Sequence, residues 1–307
     1  MKLRKHQTSF TFGTCLLGLT LLLATAFTPQ AGAETFKNGS KIRIAILPCT
    51  DIAKAFTNYQ PLRNYLQLRL QREVEILVPS TFQEFKRIIK FGEAEFAFQA
   101  PHAYLMMANQ YKKNNLLETL TPEGTSTHRG VFITRRDSEI ENIDDLRDKN
   151  IIFGHLYSTA KWMAAKTVLA NNGIDIEKDL RDYSHGDSCE SIAMKVYLKQ
   201  ADAGVICDYS YNEITANTEP RDDEIPPDGL KIVGFTWEIP TWVFSAQKDI
   251  DPQTVTQVYN VLLQLDHDKP KHLEILNNME ISGFAHATDS AYDQLRKNLN
   301  PTGSIPQ

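Results

Sequence analysis

The chain has 307 residues, 42% of them hydrophobic and 23% charged, an ordinary globular composition that excludes a disordered or low-complexity chain. Its formal charge of −5 argues against the basic face of a nucleic-acid binder, so no nucleic-acid partner is expected. The length suits two medium domains or one large one.

Residues 1–33 read as a secretory signal peptide. Lys2, Arg4 and Lys5 form a basic start, an apolar run follows from Cys15 to Phe27, and Ala31, Gly32 and Ala33 supply the small residues of a cleavage site. The apolar run is too short for a comfortable membrane span. Cleavage removes three cations and no anion, taking the formal charge from −5 to −8. Cys15 precedes the apolar core, where a lipoprotein cysteine would follow it. A soluble periplasmic protein is expected.

The rest alternates short apolar runs with amphipathic helices, the pattern of an α/β protein. Lys41–Leu47 reads as a first strand, followed by a loop through Pro48, Cys49, Thr50 and Asp51. A helix then carries Leu62, Tyr65, Leu66 and Leu70 on one face. Val74–Val78 is a second strand, and Thr81 with Glu84 forms a capping box for a helix through Lys90. Glu95–Gln99 is a third strand, and Pro101 suits the first turn of the next helix. Val131–Thr134 is a strand, with Arg135–Ser138 as a crossing segment into a new unit. Ile151–Gly154 is the next strand, running through His155, Leu156 and Tyr157 to Ser158 and Thr159, then a helix over Ala160–Asn171. Asp182–Ser184 is a short strand. Asp187 with Glu190 forms another capping box, for a helix to Gln200, and Ala203–Cys207 is a strand. Glu219–Asp228 reads as a loop, Lys231–Phe235 as a strand, and Thr241–Ser245 as the return crossing. The tail, over Pro252–Asn278 and Asp289–Leu299, is helical.

Two junctions suggest an anion site. Ser158 and Thr159 stand where a buried strand turns into a helix, whose first amides lack intrahelical partners and carry partial positive charge. His185 precedes a second helix start in the same half. Loops at the carboxyl ends of strands gather at one crevice in an open α/β sheet. Each feature alone is as well explained by an ordinary helix cap or a structural histidine. No G-x-S-x-G, H-E-x-x-H or paired-carboxylate pattern is present, so no catalytic residue, metal site or cofactor is expected.

The order and spacing of several landmarks resembles the periplasmic phosphate/phosphite/phosphonate-binding family, within the type II periplasmic binding proteins. These landmarks are Glu95–Pro101, Arg135–Ser138 then Ile143–Leu146, Tyr157-Ser158-Thr159, Ser184-His185, Ala201–Gly204, Ile239-Pro240, and Ser282-Gly283-Phe284. The resemblance implies two lobes hinged on two crossing strands, with a cleft between them and no catalysis. Lobe 1 would span residues 34–135 and 241–307, and lobe 2 residues 136–240. The family's hydroxyl loop falls on Ser158, Thr159 and Ala160, so one hydroxyl is missing, and its pocket histidine falls on His185. The family's lobe-1 tyrosines fall on Phe82 and His128, and two carboxylates that meet an aminoalkyl phosphonate fall on Trp242 and Tyr209. The resemblance therefore implies a site for a plain oxyanion, contacted by Tyr157, Ser158, Thr159, His185, His128, Phe82 and Cys49, and delivery to the membrane subunit of an ABC importer.

Cys49, Cys189 and Cys207 all fall near the expected cleft edge. One alternative is an arsenate or arsenite sensor docking on a membrane histidine kinase. The other is that they are buried small residues or that Cys189 and Cys207 form a structural disulfide.

Overall fold

The computed structural model describes residues 41–49, 52–221 and 223–299. The signal peptide read over residues 1–33 lies outside them.

The chain begins β1 (Ile42–Ile46), α1 (Ile52–Leu70), β2 (Val74–Leu77), α2 (Phe82–Lys90), β3 (Phe96–Gln99), α3 (Pro101–Met107), β4 (Tyr111–Leu120) and β5 (Thr127–His128). It continues through β6 (Gly130–Arg135), β7 (Asn150–Phe153), a π-helical turn over Thr159–Ala164 that runs into α4 (Ala165–Asn171), β8 (Asp182–His185), α5 (Cys189–Tyr197), β9 (Ala203–Cys207) and α6 (Asp208–Ala216). It ends with β10 (Leu230–Phe235), β11 (Ile239–Pro240), β12 (Val243–Gln247), α7 (Pro252–Leu262), α8 (Pro270–Met279), β13 (Gly283–Ala287) and α9 (Asp293–Leu299).

These strands form two sheets, one per lobe. The first has the order β13-β4-β12-β3-β1-β2 and the second β10-β6-β9-β7-β8. Each contains three parallel strands with the earliest in the chain in the middle, β2-β1-β3 and β8-β7-β9. An antiparallel strand from elsewhere in the chain flanks each trio: β12 beside β3, and β6 beside β9. The short ribbon of β5 and β11 pairs His128 with Ile239 and Thr127 with Pro240, tying together the two passages between the sheets. β6 belongs to the second sheet, so the chain passes over ahead of Gly130 and not at Arg135–Ser138. Arg135 is the last residue of β6, paired with Leu230, and Ser138 N–H bonds back to the Arg135 carbonyl as a turn. Thr241–Ser245, read as the return crossing, is largely β12 and lies between β3 and β4.

Strand alternation sets the layers. In β1, Ile42, Ile44 and Ile46 face the layer of α1, α7 and α8, whereas Ala45 and Leu47 belong to the layer of α2 and α3. In the second lobe, Ile151 and Phe153 of β7 face one layer and Ile152 the other. Every residue of β3, β9 and β12 is buried, as expected of strands covered on both faces. Gly204 of β9 has no room for a side chain, because a Cβ there would lie 2.6 Å from Ile192 Cγ2 and α5 packs directly on the strand.

Of the capping box read at Thr81 and Glu84, the Thr81 half forms, with Glu84 N–H donating to Thr81 Oγ1 at 3.1 Å, whereas the Glu84 carboxylate accepts from Ser80 N–H at 2.8 Å and not from Thr81. The cap of α5 is Ser188 and not Asp187, with Ser191 N–H donating to Ser188 Oγ at 3.1 Å. No helix among the described residues is long and apolar enough to cross a membrane.

Candidate functional site

The loops at the carboxyl ends of β1, β7, β8 and β9 converge between the lobes, as the parallel topology requires. They enclose a cavity of about 220 Å³. The first lobe contributes Leu47, Cys49, Lys54, Asn58, Tyr59, Thr119, Thr121, Thr241, Trp242 and Glu280 to its wall. The second contributes His155, Ser158, Lys161, Asp187, Ser188, Cys189, Cys207 and Tyr209, and His128 reaches it from the ribbon. A larger depression of about 420 Å³ is lined by Lys86, Arg87, Lys90, Lys113 and Arg296, but it lies on the first lobe alone, with Arg87 paired to Glu93 and Arg296 to Asp289 and Asp293.

The turn after β7 builds the second lobe's wall. Ser158 Oγ accepts from Lys161 N–H at 3.1 Å, and the Ser158 carbonyl accepts from Met163 N–H at 3.1 Å. The latter is the wide i→i+5 closure of a π turn, a feature concentrated at functional sites. Its effect is to send Lys161 into the cleft, where an ordinary helix surface would expose it. Gly154 makes the space: a Cβ there would stand 2.5 Å from Lys161 Cβ and 2.8 Å from its Cε. The Lys161 stem therefore lies along bare backbone, and Gly154 N–H donates to the Lys161 carbonyl at 3.3 Å. Gly154→Ala is expected to push the stem aside and to weaken binding of the anion anticipated from the sequence by about tenfold. Calorimetric titration beside a melting curve checks this; unchanged affinity would show that the ammonium does not need this path.

Lys161 Nζ donates to Cys189 Sγ at 3.4 Å, and Cys207 N–H donates to the same sulfur at 3.4 Å. All three described cysteines are free thiols, so the expected alternative of a Cys189–Cys207 disulfide is not the state seen. Burial works against the charge of Lys161, but the two sulfurs more than offset it and its pKa is raised. A hydrogen bond from Cys189, opposed by burial and helped by the Lys161 ammonium, brings the Cys207 thiol down to about 7. The same thiol–thiol bond, with burial, pushes Cys189 well up, so the pair holds one proton tightly and yields the other near neutrality.

The residues expected at the site divide three ways. Cys49, His128 and Ser158 line the cavity. Tyr157, Phe82 and Thr159 form the contact between lobes beside it. Phe82 packs on Tyr157 with centroids 5.2 Å apart, and Cys49 Sγ points at the Tyr157 carbonyl from 3.8 Å. Thr159 is buried, with its hydroxyl 2.9 Å from His102 Nδ1 on α3. Ala160 and Ala164 pack into the first lobe's core, so the hydroxyl missing at Ala160 is replaced by an apolar contact between lobes. His185 turns elsewhere: its Nδ1 meets the Gly154 carbonyl at 2.7 Å, and its ring stands edge-on to Trp162 at 4.6 Å.

His128 is held neutral, its pKa lowered by burial to about 4, with a weaker opposing pull from Asp208; its Nδ1 is buried with no protein partner among the described residues. His155 is lowered mainly by burial. Glu280 stands at φ 55° in the left-handed region, where glycine is usual after a helix, and burial raises its pKa. Trp242 and Tyr209 do line the cavity without carboxylates, but Asp187 and Glu280 bring carboxyl groups from positions the sequence reading did not weigh. Among the described residues no group of three or more His, Cys, Asp or Glu is placed to hold a metal ion.

Two α/β lobes around a small polar cleft with a buried cation define a two-lobed solute-binding protein. The chain matches the family described as "ABC transporter, phosphonate, periplasmic substrate-binding protein" over residues 44–292 and belongs to it. It is 23% identical to the phosphate-import protein PhnD of Mycolicibacterium smegmatis, in an alignment covering 99% of this chain and 98% of that one. In fold it is similar to PhnD1 of Prochlorococcus marinus in complex with methylphosphonate, with a TM-score of 0.68, 16% identity, and coverage of 86% of this chain and 99% of that one. It is likewise similar to a binding protein component of an ABC phosphonate transporter from Pseudomonas aeruginosa, with a TM-score of 0.65, 15% identity, and coverage of 84% and 85%. The family's role is binding for transport, not turnover.

Proposed function

We propose that the cleft closes on a small tetrahedral oxyanion of the phosphate, phosphite or phosphonate class and presents it to the membrane subunit of an ABC importer. The observation that carries this is Lys161, a cation led into a cavity of about 220 Å³ beside the Ser158 cap. At roughly 30 Å³ per water, such a cavity suits a small ion with a few waters. Charge-assisted hydrogen bonds from Lys161, Ser158 and first-turn amides would supply the affinity. Tyr157, Phe82 and Thr159 would act by holding the lobes together, and Cys49 and His128 by contact within the cleft. The lobes, taken as residues up to 129 with 241–307 and as 130–240 because β6 lies in the second sheet, would hinge near the ribbon of β5 and β11, and residues 1–33 would direct export. The relatives above are named for phosphate and methylphosphonate, and none for arsenate or a kinase, so the importer reading is retained.

Melting curves of the mature chain with phosphate, phosphite, methylphosphonate, aminoethylphosphonate, sulfate and arsenate test it. A phosphorus oxyanion is expected to raise the melting temperature, because a ligand that binds only the folded state stabilises it. Ser158→Ala should weaken that anion by about tenfold, and remove a helix cap contributing about 1 kcal/mol to stability. A rise with arsenate alone would restore the sensor alternative, and no rise with any anion would remove the oxyanion reading.

A further inference from the structure

Cys189 opens α5 and Cys207 closes β9, so the topology brings both thiols to the cleft wall although 17 residues separate them in sequence. Both are buried, at 7% and 4% exposure, and the Cys207 backbone N–H donates to Cys189 Sγ at 3.4 Å. The Cys189 sulfur is also the acceptor that holds the Lys161 ammonium, at 3.4 Å. Transport of an oxyanion gives no task to a thiol pair. An exported chain, moreover, works where dithiols are oxidised.

We propose that Cys189 and Cys207 form a reversible disulfide whose formation releases Lys161 to the cleft anion. This rests on the oxyanion reading above for its consequence, but not for its chemistry. The oxidant is a disulfide, small or protein-borne. The Cys207 thiolate attacks one sulfur of that disulfide and expels a thiolate. Cys189, losing its proton, then attacks the Cys207 sulfur of the mixed disulfide and expels the second thiolate. Starting as a monoanion, the pair gives up two electrons and one proton, and the oxidant leaves as one thiol and one thiolate.

In the reduced state the pair shares a negative charge that neutralises Lys161, and an incoming oxyanion must compete with it. In the oxidised state that charge is gone. The lysine keeps its proton at neutral pH but yields it more readily, and a bound anion becomes its best partner. Oxidation is therefore expected to tighten phosphate binding by about tenfold, within the usual range of coupling between two sites.

The test uses the mature chain, reduced or treated with oxidised glutathione, with three readouts: peptide mass mapping for the linkage, the rate of Lys161 acylation by acetic anhydride, and phosphate titration by calorimetry. A Cys189–Cys207 link, several-fold faster acylation of Lys161 and tighter phosphate binding are expected. Cys207→Ser should erase the acylation difference. A pairing of either cysteine with Cys49 instead, no link at all, or a link that leaves Lys161 acylation unchanged would overturn the proposal. If the link forms and acylation responds while phosphate binds in neither state, the redox site stands and the oxyanion reading falls.

Discussion

Lys161→Met is expected to weaken binding of the cleft anion by about tenfold to a hundredfold, the equivalent of about 1.5–3 kcal/mol for a lost hydrogen bond to a charged group. Methionine keeps an unbranched stem, so it can follow the path over Gly154, where a Cβ would come within 2.5 Å of the Lys161 Cβ. Only the charge and the donor are lost. Removing one partner of a buried pair usually costs several kcal/mol, because the other charge is left alone. Here the partner is a thiol, which takes up a proton and becomes neutral. The melting temperature should therefore change little, while the first thiol ionisation, near 7 in the parent chain, should move up. Calorimetric titration with the best anion and a titration of thiolate absorbance check both halves. Unchanged affinity would place the anion away from Lys161; an unchanged thiol titration would mean that the ammonium is not what holds it down.

Much of this architecture could be read from sequence, for identifiable reasons. The buried central strands announce themselves as apolar β-branched runs, Ile42–Ile46, Ile151–Phe153 and Ala203–Cys207, because they are covered on both faces. Ser158 was visible through its capping chemistry. β4 was not: Tyr111–Leu120 carries Lys112, Lys113, Asn114, Asn115 and Glu118, and its burial is irregular, so it looks like a loop until β12 and β13 pair with it. Lys161 was passed over because a lysine in the first turn of a helix is ordinarily a solvated residue. Its inward course depends on a π turn and on the absence of a side chain at Gly154, two features only their combination makes informative. His185 misled in the opposite direction. It follows the alternation of β8 and points back at the Gly154 carbonyl, so a histidine next to a helix start served to brace the turn that carries Lys161. The cysteines fell near the cleft as expected, but their relation to Lys161 is a tertiary fact, since it depends on α5 packing closely on β9 over Gly204.

Acid is expected to destabilise this protein well above the range in which carboxylates titrate. His102 and His128 both have pKa values lowered to about 4, chiefly by burial. In the unfolded chain each would titrate near the ordinary 6.5. Between those values the unfolded state binds protons that the folded state refuses, so stability falls as pH falls, starting near 6.5 and continuing toward 4. At pH 5 the loss is on the order of 2 kcal/mol per histidine. Glu118 and Glu280, raised by burial, titrate in the opposite sense and return part of it. The geometry agrees with the sign. His102 N–H donates to Thr159 Oγ1 at 3.4 Å, which leaves the threonine hydroxyl proton for His102 Nδ1 at 2.9 Å, and Nε2 is buried with no partner among the described residues. Protonation at Nδ1 would force the Thr159 hydroxyl to turn its own proton away, and it would place a charge on a buried ring whose Nε2–H has no acceptor among the described residues. Because Thr159 and His102 belong to different lobes, the same event loosens the closed arrangement around the cleft. Melting temperatures between pH 7 and 5 should fall steeply in the parent chain and less steeply in His102→Gln and His128→Gln, at roughly 2–4 °C per kcal/mol for a chain of this size. Equal slopes in parent and variants would show that the acid sensitivity arises elsewhere. A shallower slope in His102→Gln alone would identify the contact between lobes, and not the cavity wall, as the place where the proton acts.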